Sequence, residues 1–278
     1  MAPPVFIIGC ARSGTSILGE IIAAHPRVEY VWEATAIWEG IAGVAADGSH
    51  RLDQTAATTS VSKALVDAFA APPGDTVLVE KSPRNTLRVP FLKAVFPDAR
   101  IVHIVRDGRD VACSLVPGCA GAEWRHLRPP GWLELMERWD GVERCARAWK
   151  EILELALADL ETVRHVQIRY EDLVQAPRTT LERVFGHIGL EFAPEAAAYA
   201  ARLSEAVPGS YHAQGQSRWF RPDHDHRIGR FRQNMTVEQQ RATSELLAPM
   251  LERLGYCTRS AAAGSGEAMS HSGTVSVG

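Results

Sequence analysis

The chain has 278 residues, 46% of them hydrophobic and 23% charged, with a net charge of −3. This is globular composition, enough for one sizeable core or two small ones, and the near-neutral balance argues against a nucleic-acid binder. The five cysteines (Cys10, Cys113, Cys119, Cys145, Cys257) form no C-x-x-C pair, which points to a reducing compartment, and the longest apolar runs fall short of a membrane span.

The N-terminal "MAPPVFIIGC" enters an apolar, β-branched run at residues 5–8 with no room for a leader, so a cytoplasmic protein is expected. A glycine-bearing loop follows, then an apolar helix over 14–24. The stretch 32–59 reads as loop-rich. A helix over 62–71 stops at Pro72-Pro73-Gly74, and a second strand covers 76–79. A third strand at 100–105 leads into a helix at 109–116. A second loop-rich stretch spans 117–140, and a long amphipathic helix fills 141–160. A fourth strand at 165–168, a helix at 178–188, a third loop-rich stretch at 208–227 and a helix at 237–254 complete the pattern. Strand–helix alternation of this kind makes an α/β fold: a central parallel sheet flanked by helices. We expect one domain over 1–258 and a disordered tail over 259–278, where the chain is Ser, Ala, Gly and Thr with little apolar content. The three long loops hold Trp32, Trp38, Trp124, Trp132 and Trp219, either as a substrate wall or as satellite hydrophobic clusters.

The first loop keeps the Gly9-to-Gly14 spacing of a phosphate-binding P-loop, G-x-x-x-x-G-K-[ST], but Thr15 stands where lysine is expected. Backbone N–H groups and the helix dipole bind an anion there without a lysine. Arg12 adds a positive fork, and Ser13, Thr15 and Ser16 add hydroxyls. The lysine that bridges β- and γ-phosphates is missing, and no strand-end aspartate suits magnesium. The loop therefore fits a terminal phosphate-like group better than ATP with metal. Arg106 ends the third strand, and Ser114 follows eight residues later. Ligands of open α/β sheets gather at that carboxyl edge. Arg106 alone also reads as a salt bridge to Asp107 or Asp110, but two anion-binding turns at one edge suggest a ligand with phosphates at two positions.

"CARSGTS", "VRDGRDVACS", "IRYEDLVQAP" and "HRIGRFRQNMT", in this order over residues 5–256, resemble the motifs of the PAPS-dependent sulfotransferases. That family uses 3′-phosphoadenosine 5′-phosphosulfate as donor on a P-loop-like fold. The nearest subgroup by these motifs contains tyrosylprotein and many bacterial sulfotransferases. The resemblance implies PAPS as co-substrate and no metal. It implies that Arg12, Ser13, Gly14, Thr15 and Ser16 hold the 5′-phosphosulfate and that Arg106 and Ser114 hold the 3′-phosphate. Arg230 and Arg227 would cover that phosphate, and Tyr170 would sit near the adenine. Glu33 aligns with the family's proposed catalytic glutamate, with Glu39 and Glu80 as rival bases. His25 reads as a capping or packing histidine. Lys81, in "VLVEKSPRN", would reach the sulfuryl group, with Arg84 and Asn85 lining the acceptor pocket.

In-line transfer needs a base on the acceptor hydroxyl and fixed positive donors around the sulfuryl group; Glu33, Lys81 and Arg12 are the candidates. "PDHDHR" offers His224 and His226 with Asp223 and Asp225, either as a metal site or, more in keeping with alternating charge in a loop, as a solvated segment. His103 reads as a satisfied core histidine and Cys10 as a small packing residue. The expected activity is sulfuryl transfer from PAPS to a hydroxyl of a small-molecule, glycan or secondary-metabolite acceptor. No nucleic acid or membrane span is expected, and a homodimer is left open. Arg125, His126, Arg128, Arg218 and Arg221 lie among the loop tryptophans. The alternatives are a small-molecule kinase using ATP, a protein-tyrosine sulfotransferase, and a non-catalytic nucleotide-binding protein.

Overall fold

In a computed structural model of the protein, residues 2–70, 74–119, 121–203 and 224–257 are described. The run VFII forms β1 (Val5–Ile8), with all four residues buried. A strand so apolar on both faces needs a neighbour on each edge and a helix layer above and below. It has them: β2 (Val28–Trp32), β3 (Val77–Lys81), β4 (Arg100–Val105) and β5 (His165–Arg169) complete a five-stranded sheet in the order β2-β3-β1-β4-β5. Every pairing is parallel. The register sets Trp32 opposite Lys81 and Ile7 opposite Lys81, so the ends of three strands meet at one edge.

One face is covered by α1 (Thr15–Ala23) and by α9 (Pro177–Ile188), which follows α8 (Tyr170–Gln175). Ile17, Leu18 and Ile21 of α1 and Leu181, Val184 and Phe185 of α9 pack on Val5, Ile7, Val79, Val102 and Ile104. On the other face lie α2 (Thr35–Ile41), α3 (Thr59–Ala68) and α4 (Val89–Val95), whose Trp38, Leu65 and Phe91 meet Phe6, Ile8 and Leu78. A second layer joins α5 (Gly108–Leu115) to α7 (Gly141–Leu160), preceded by the short α6 (Trp132–Arg138). Beyond α10 (Pro194–Ala200), α11 (Phe231–Asn234) leads to α12 (Val237–Arg253), which packs against α7 and α5. Among the described residues no helix is long and apolar enough to cross a membrane.

The four expected strands are present, with a fifth, β2, that the sequence pattern did not reveal. Its VEYVW is only partly buried because it lies at the sheet edge, so it lacks a continuous apolar run. The stretch 32–59 is loop-rich, as expected, but it also contains α2, and α3 starts at Thr59, where the Thr58 side chain accepts from Val61 N. Trp38 is a core residue, stacked 4.7 Å from Phe69, and not part of a substrate wall. Trp124 and Trp132 meet edge to face at 6.0 Å. Trp219, Arg218, Arg221, most of 208–227 and the tail 259–278 lie outside the described residues.

Candidate active site

The loop between β1 and α1 lies against β4 and α8, and two glycines allow it. A Cβ on Gly9 would sit 2.4 Å from the Ile104 carbonyl oxygen, and one on Gly14, at φ +97°, 2.5 Å from Tyr170 Cδ2. Gly9 N donates to Thr86 Oγ1 at 2.8 Å, which anchors the loop to the segment after β3. Arg12 lies inside the loop at φ 73° and donates through Nε to Ser114 Oγ at 2.8 Å. The two candidate phosphate turns are thus joined by a direct hydrogen bond. The Ser13 hydroxyl is buried without a partner among the described residues.

Arg106, at the end of β4, is buried. It donates to the carbonyls of Arg12 (3.2 Å) and Arg227 (2.5 Å) and lies 3.6 Å from the Asp110 carboxylate. Its guanidinium carbon stands 4.4 Å from the Tyr170 ring centre, and its buried Nε has no partner among the described residues. The salt-bridge reading of Arg106 therefore holds for Asp110, while Asp107 pairs instead with Arg109. Asp110 also accepts from the backbone N–H groups of Gly229 and Phe231, both at 2.8 Å, so it docks the basic segment on α5. Burial raises its carboxyl pKa, and the Arg106 charge opposes that shift. Arg230 stands exposed at the start of α11.

Tyr170, expected near an adenine, is enclosed. Its ring covers Gly14 on one side, meets Arg106 on another, and its hydroxyl lies 2.7 Å from His224 Nδ1. His224 is accordingly buried, not solvated, and burial pushes its imidazole down to about 4. Asp223 lies outside the described residues, and among those described no group of three His, Cys, Asp or Glu side chains is arranged to hold a metal.

The second cluster forms where β2 and β3 end side by side. Glu33 N donates to the Lys81 carbonyl at 2.8 Å, bringing both side chains to the start of α1. Lys81 Nζ lies 2.5 Å from Glu33 Oε1 and 3.1 Å from Ser16 Oγ, with the Trp32 ring centre 5.0 Å away. The Lys81 side chain has no exposure, whereas that of Glu33 is 33% exposed, so the carboxylate is the member of the pair open to solvent. Burial pushes the Lys81 ammonium pKa down, against the pull of Glu33 and, more weakly, of Glu80 and Glu20. Among the described residues, Arg12 and Glu33 (φ 39°) are the two non-glycine residues with positive φ. Such backbone costs about 1–3 kcal/mol each and clusters at functional sites.

The rival residues are occupied elsewhere. Strand alternation turns Glu80 to the opposite face of the sheet from Lys81, where it accepts from Trp38 Nε1 (3.0 Å) and Asn85 Nδ2 (2.9 Å). Burial pushes its carboxyl up to about 7. Asn85 is therefore a core residue, while Arg84 pairs with Glu39. His25 is buried at the end of α1 and accepts from Arg27 N, as a packing histidine does. His103 bonds Gln167 through Nδ1, but its buried Nε2 has no partner among the described residues. Cys10 packs with Cys119 and Cys145 in the α5–α7 core. Sequence reasoning missed the docking role of Asp110, which depends on backbone groups about 120 residues further along the chain. It also missed Thr86, for which no local signal existed.

Residues 3–194 match the family model described as "Sulfotransferase family". The nodulation protein NoeE of Sinorhizobium fredii is 25% identical over 283 residues, covering 90% of this chain and 65% of its own. Protein-tyrosine sulfotransferase A of Caenorhabditis elegans is 23% identical over 270 residues, covering 92% and 67%. The chain thus spans about two thirds of the length of these relatives. Among solved structures, the sulfotransferase domain from the curacin biosynthetic pathway superposes with a TM-score of 0.55 at 16% identity, covering 92% of this chain and 99% of that one. Mouse sulfotransferase SULT7A1 complexed with PAP gives 0.54 at 15% identity, covering 90% and 84%. At these identities the likeness shows the shared fold.

Proposed function

The chain belongs to the sulfotransferase family, and we propose that it transfers the sulfuryl group of PAPS to a hydroxyl of a small-molecule or glycan acceptor. The observation that carries this reading is the placement of Lys81 Nζ between Ser16 Oγ, at the phosphate-binding end of α1, and the half-open Glu33 carboxylate. The donor turns suit a doubly phosphorylated nucleotide. Ser13 Oγ and Arg106 Nε are buried there with no partner among the described residues, a costly state that a bound anion would relieve. Arg12, Ser13, Thr15, Ser16 and the loop N–H groups would hold the 5′-phosphosulfate. Arg106 and Ser114, covered by the segment with Arg227 and Arg230, would hold the 3′-phosphate. The donor supplies an activated sulfuryl group on a stable leaving phosphate. Glu33 takes the proton of the acceptor hydroxyl as its oxygen bonds sulfur. Lys81 and Arg12 stabilise the negative charge that builds on the sulfuryl oxygens and on the departing phosphate oxygen. A protein tyrosine is a second reading of the acceptor, favoured by relatives bearing that name. Thermal-shift titration tests the donor. Adenosine 3′,5′-bisphosphate (PAP) without magnesium should raise Tm in proportion to ln(1 + [L]/Kd). Stabilisation by magnesium–ATP alone would favour a kinase and overturn the reading.

A further inference from the structure

Lys81 and Glu33 are assigned opposite tasks, yet here they hold each other. The ammonium is fully enclosed, and the 2.5 Å contact to Glu33 Oε1 is its shortest bond. An unexposed cation that leaves one carboxylate must find another anion, because a buried charge without a partner is strongly unfavourable. The other acids around it are engaged elsewhere. Glu80 is on the far face of the sheet, held by Trp38 and Asn85. Glu20, one turn behind Ser16 on α1, accepts from the Tyr199 hydroxyl. Of the remaining titratable groups, the Tyr30 hydroxyl is buried on β2 against Gly19. Arg12 and Glu33 both act on the His126 imidazole, with opposite signs.

We propose that Lys81 is exchanged between Glu33 and the sulfuryl oxygens of the incoming donor, so that donor binding itself releases the base. This rests on the reading of Glu33 and Lys81 given above and adds the order of events. With the donor absent, the ammonium holds Glu33 through Oε1. With the donor bound, Lys81 turns to the sulfuryl group, with Ser16 keeping the ammonium at the end of α1, and Glu33 is left to meet the acceptor hydroxyl. The acceptor is then engaged productively only after the donor. Because coupling free energies are reciprocal, Glu33 competes with the donor for Lys81 and weakens its binding.

The test is binding, with no acceptor present. Calorimetry should measure PAPS and PAP on the wild type, Glu33→Gln, Lys81→Met and the double variant. PAP lacks the sulfuryl group and serves as the internal control. Glu33→Gln should bind PAPS about tenfold tighter than the wild type, while its PAP affinity stays within about twofold. In the Lys81→Met background the same substitution should change neither ligand, which a general effect of lost charge in the cleft would not reproduce. If Lys81→Met does not fold, the first comparison still decides. An unchanged PAPS-to-PAP ratio in Glu33→Gln overturns the exchange while leaving the proposed function standing. Failure of the wild type to bind PAP overturns the proposed function itself.

Discussion

Replacing Arg106 with alanine separates its two jobs. In the structure the guanidinium makes two bonds to carbonyls, an ion pair at 3.6 Å and a contact with the Tyr170 ring at 4.4 Å. Two net hydrogen bonds at about 0.5–1.5 kcal/mol each and the lost ring contact, worth about 0.5–1 kcal/mol or more, place the destabilisation at about 2–4 kcal/mol. For a chain of this size that lowers Tm by roughly 4–16 °C. The functional job proposed for it, holding the 3′-phosphate, belongs to Nε, which has no partner among the described residues. A hydrogen bond to a charged group contributes about 1.5–3 kcal/mol, so PAP should bind roughly 10- to 150-fold more weakly. Adenosine 5′-phosphate lacks that phosphate and should lose only what the loosened Arg12 carbonyl costs, about threefold or less. Calorimetry at a temperature well below the lowered Tm measures both. Equal losses for the two nucleotides would refute the assignment and leave Arg106 as a purely structural clamp.

Two further outcomes follow from the geometry. Glu80 has a folded pKa of about 7 because burial disfavours its charge. The native state therefore holds the proton more tightly than the unfolded chain, and this contribution to stability is present at low pH and declines as pH rises through the range up to about 7. Urea unfolding of Glu80→Gln should show a flatter profile between about pH 4.5 and 7, with kcat changed little. A collapse in kcat would restore Glu80 as the base. Arg12 stands at φ 73°, where a Cβ is unfavourable by about 1–2 kcal/mol. Arg12→Gly should therefore be more stable than Arg12→Ala by about 1 kcal/mol in denaturant titration, with both inactive; equal stability would mean the loop carries no such strain.

What the sequence disclosed were features enforced locally. The Gly9-to-Gly14 spacing lies within one short segment and was visible without a structure, although the neighbours that require those glycines, Ile104 and Tyr170, are distant in the chain. The buried runs of β1 and β4 and the α7 stripe were equally plain, since their burial pattern repeats within a few residues. Contacts that depend on register were not visible. Glu33 and Lys81 meet because Trp32 pairs with Lys81 across the sheet, a relation between segments 48 residues apart. The motif resemblance suggested each residue's task but not their ion pair. The burial of Tyr170 under His224 and the capture of Gly229 and Phe231 by Asp110 require the chain to return from its far end. The half-buried β2 and the inward-facing Trp38 escaped because an edge strand and a short amphipathic helix look like loop in composition.

The most direct measurement is the single-turnover rate of sulfuryl transfer from labelled PAPS to a panel of phenols and alcohols, comparing the wild type with Glu33→Gln at saturating donor. The account predicts transfer by the wild type and a loss of roughly 10²–10⁴ in the variant, with PAP affinity retained and part of the loss recovered with phenols of low pKa. Undiminished transfer by Glu33→Gln, or its abolition by Glu39→Gln instead, would contradict it.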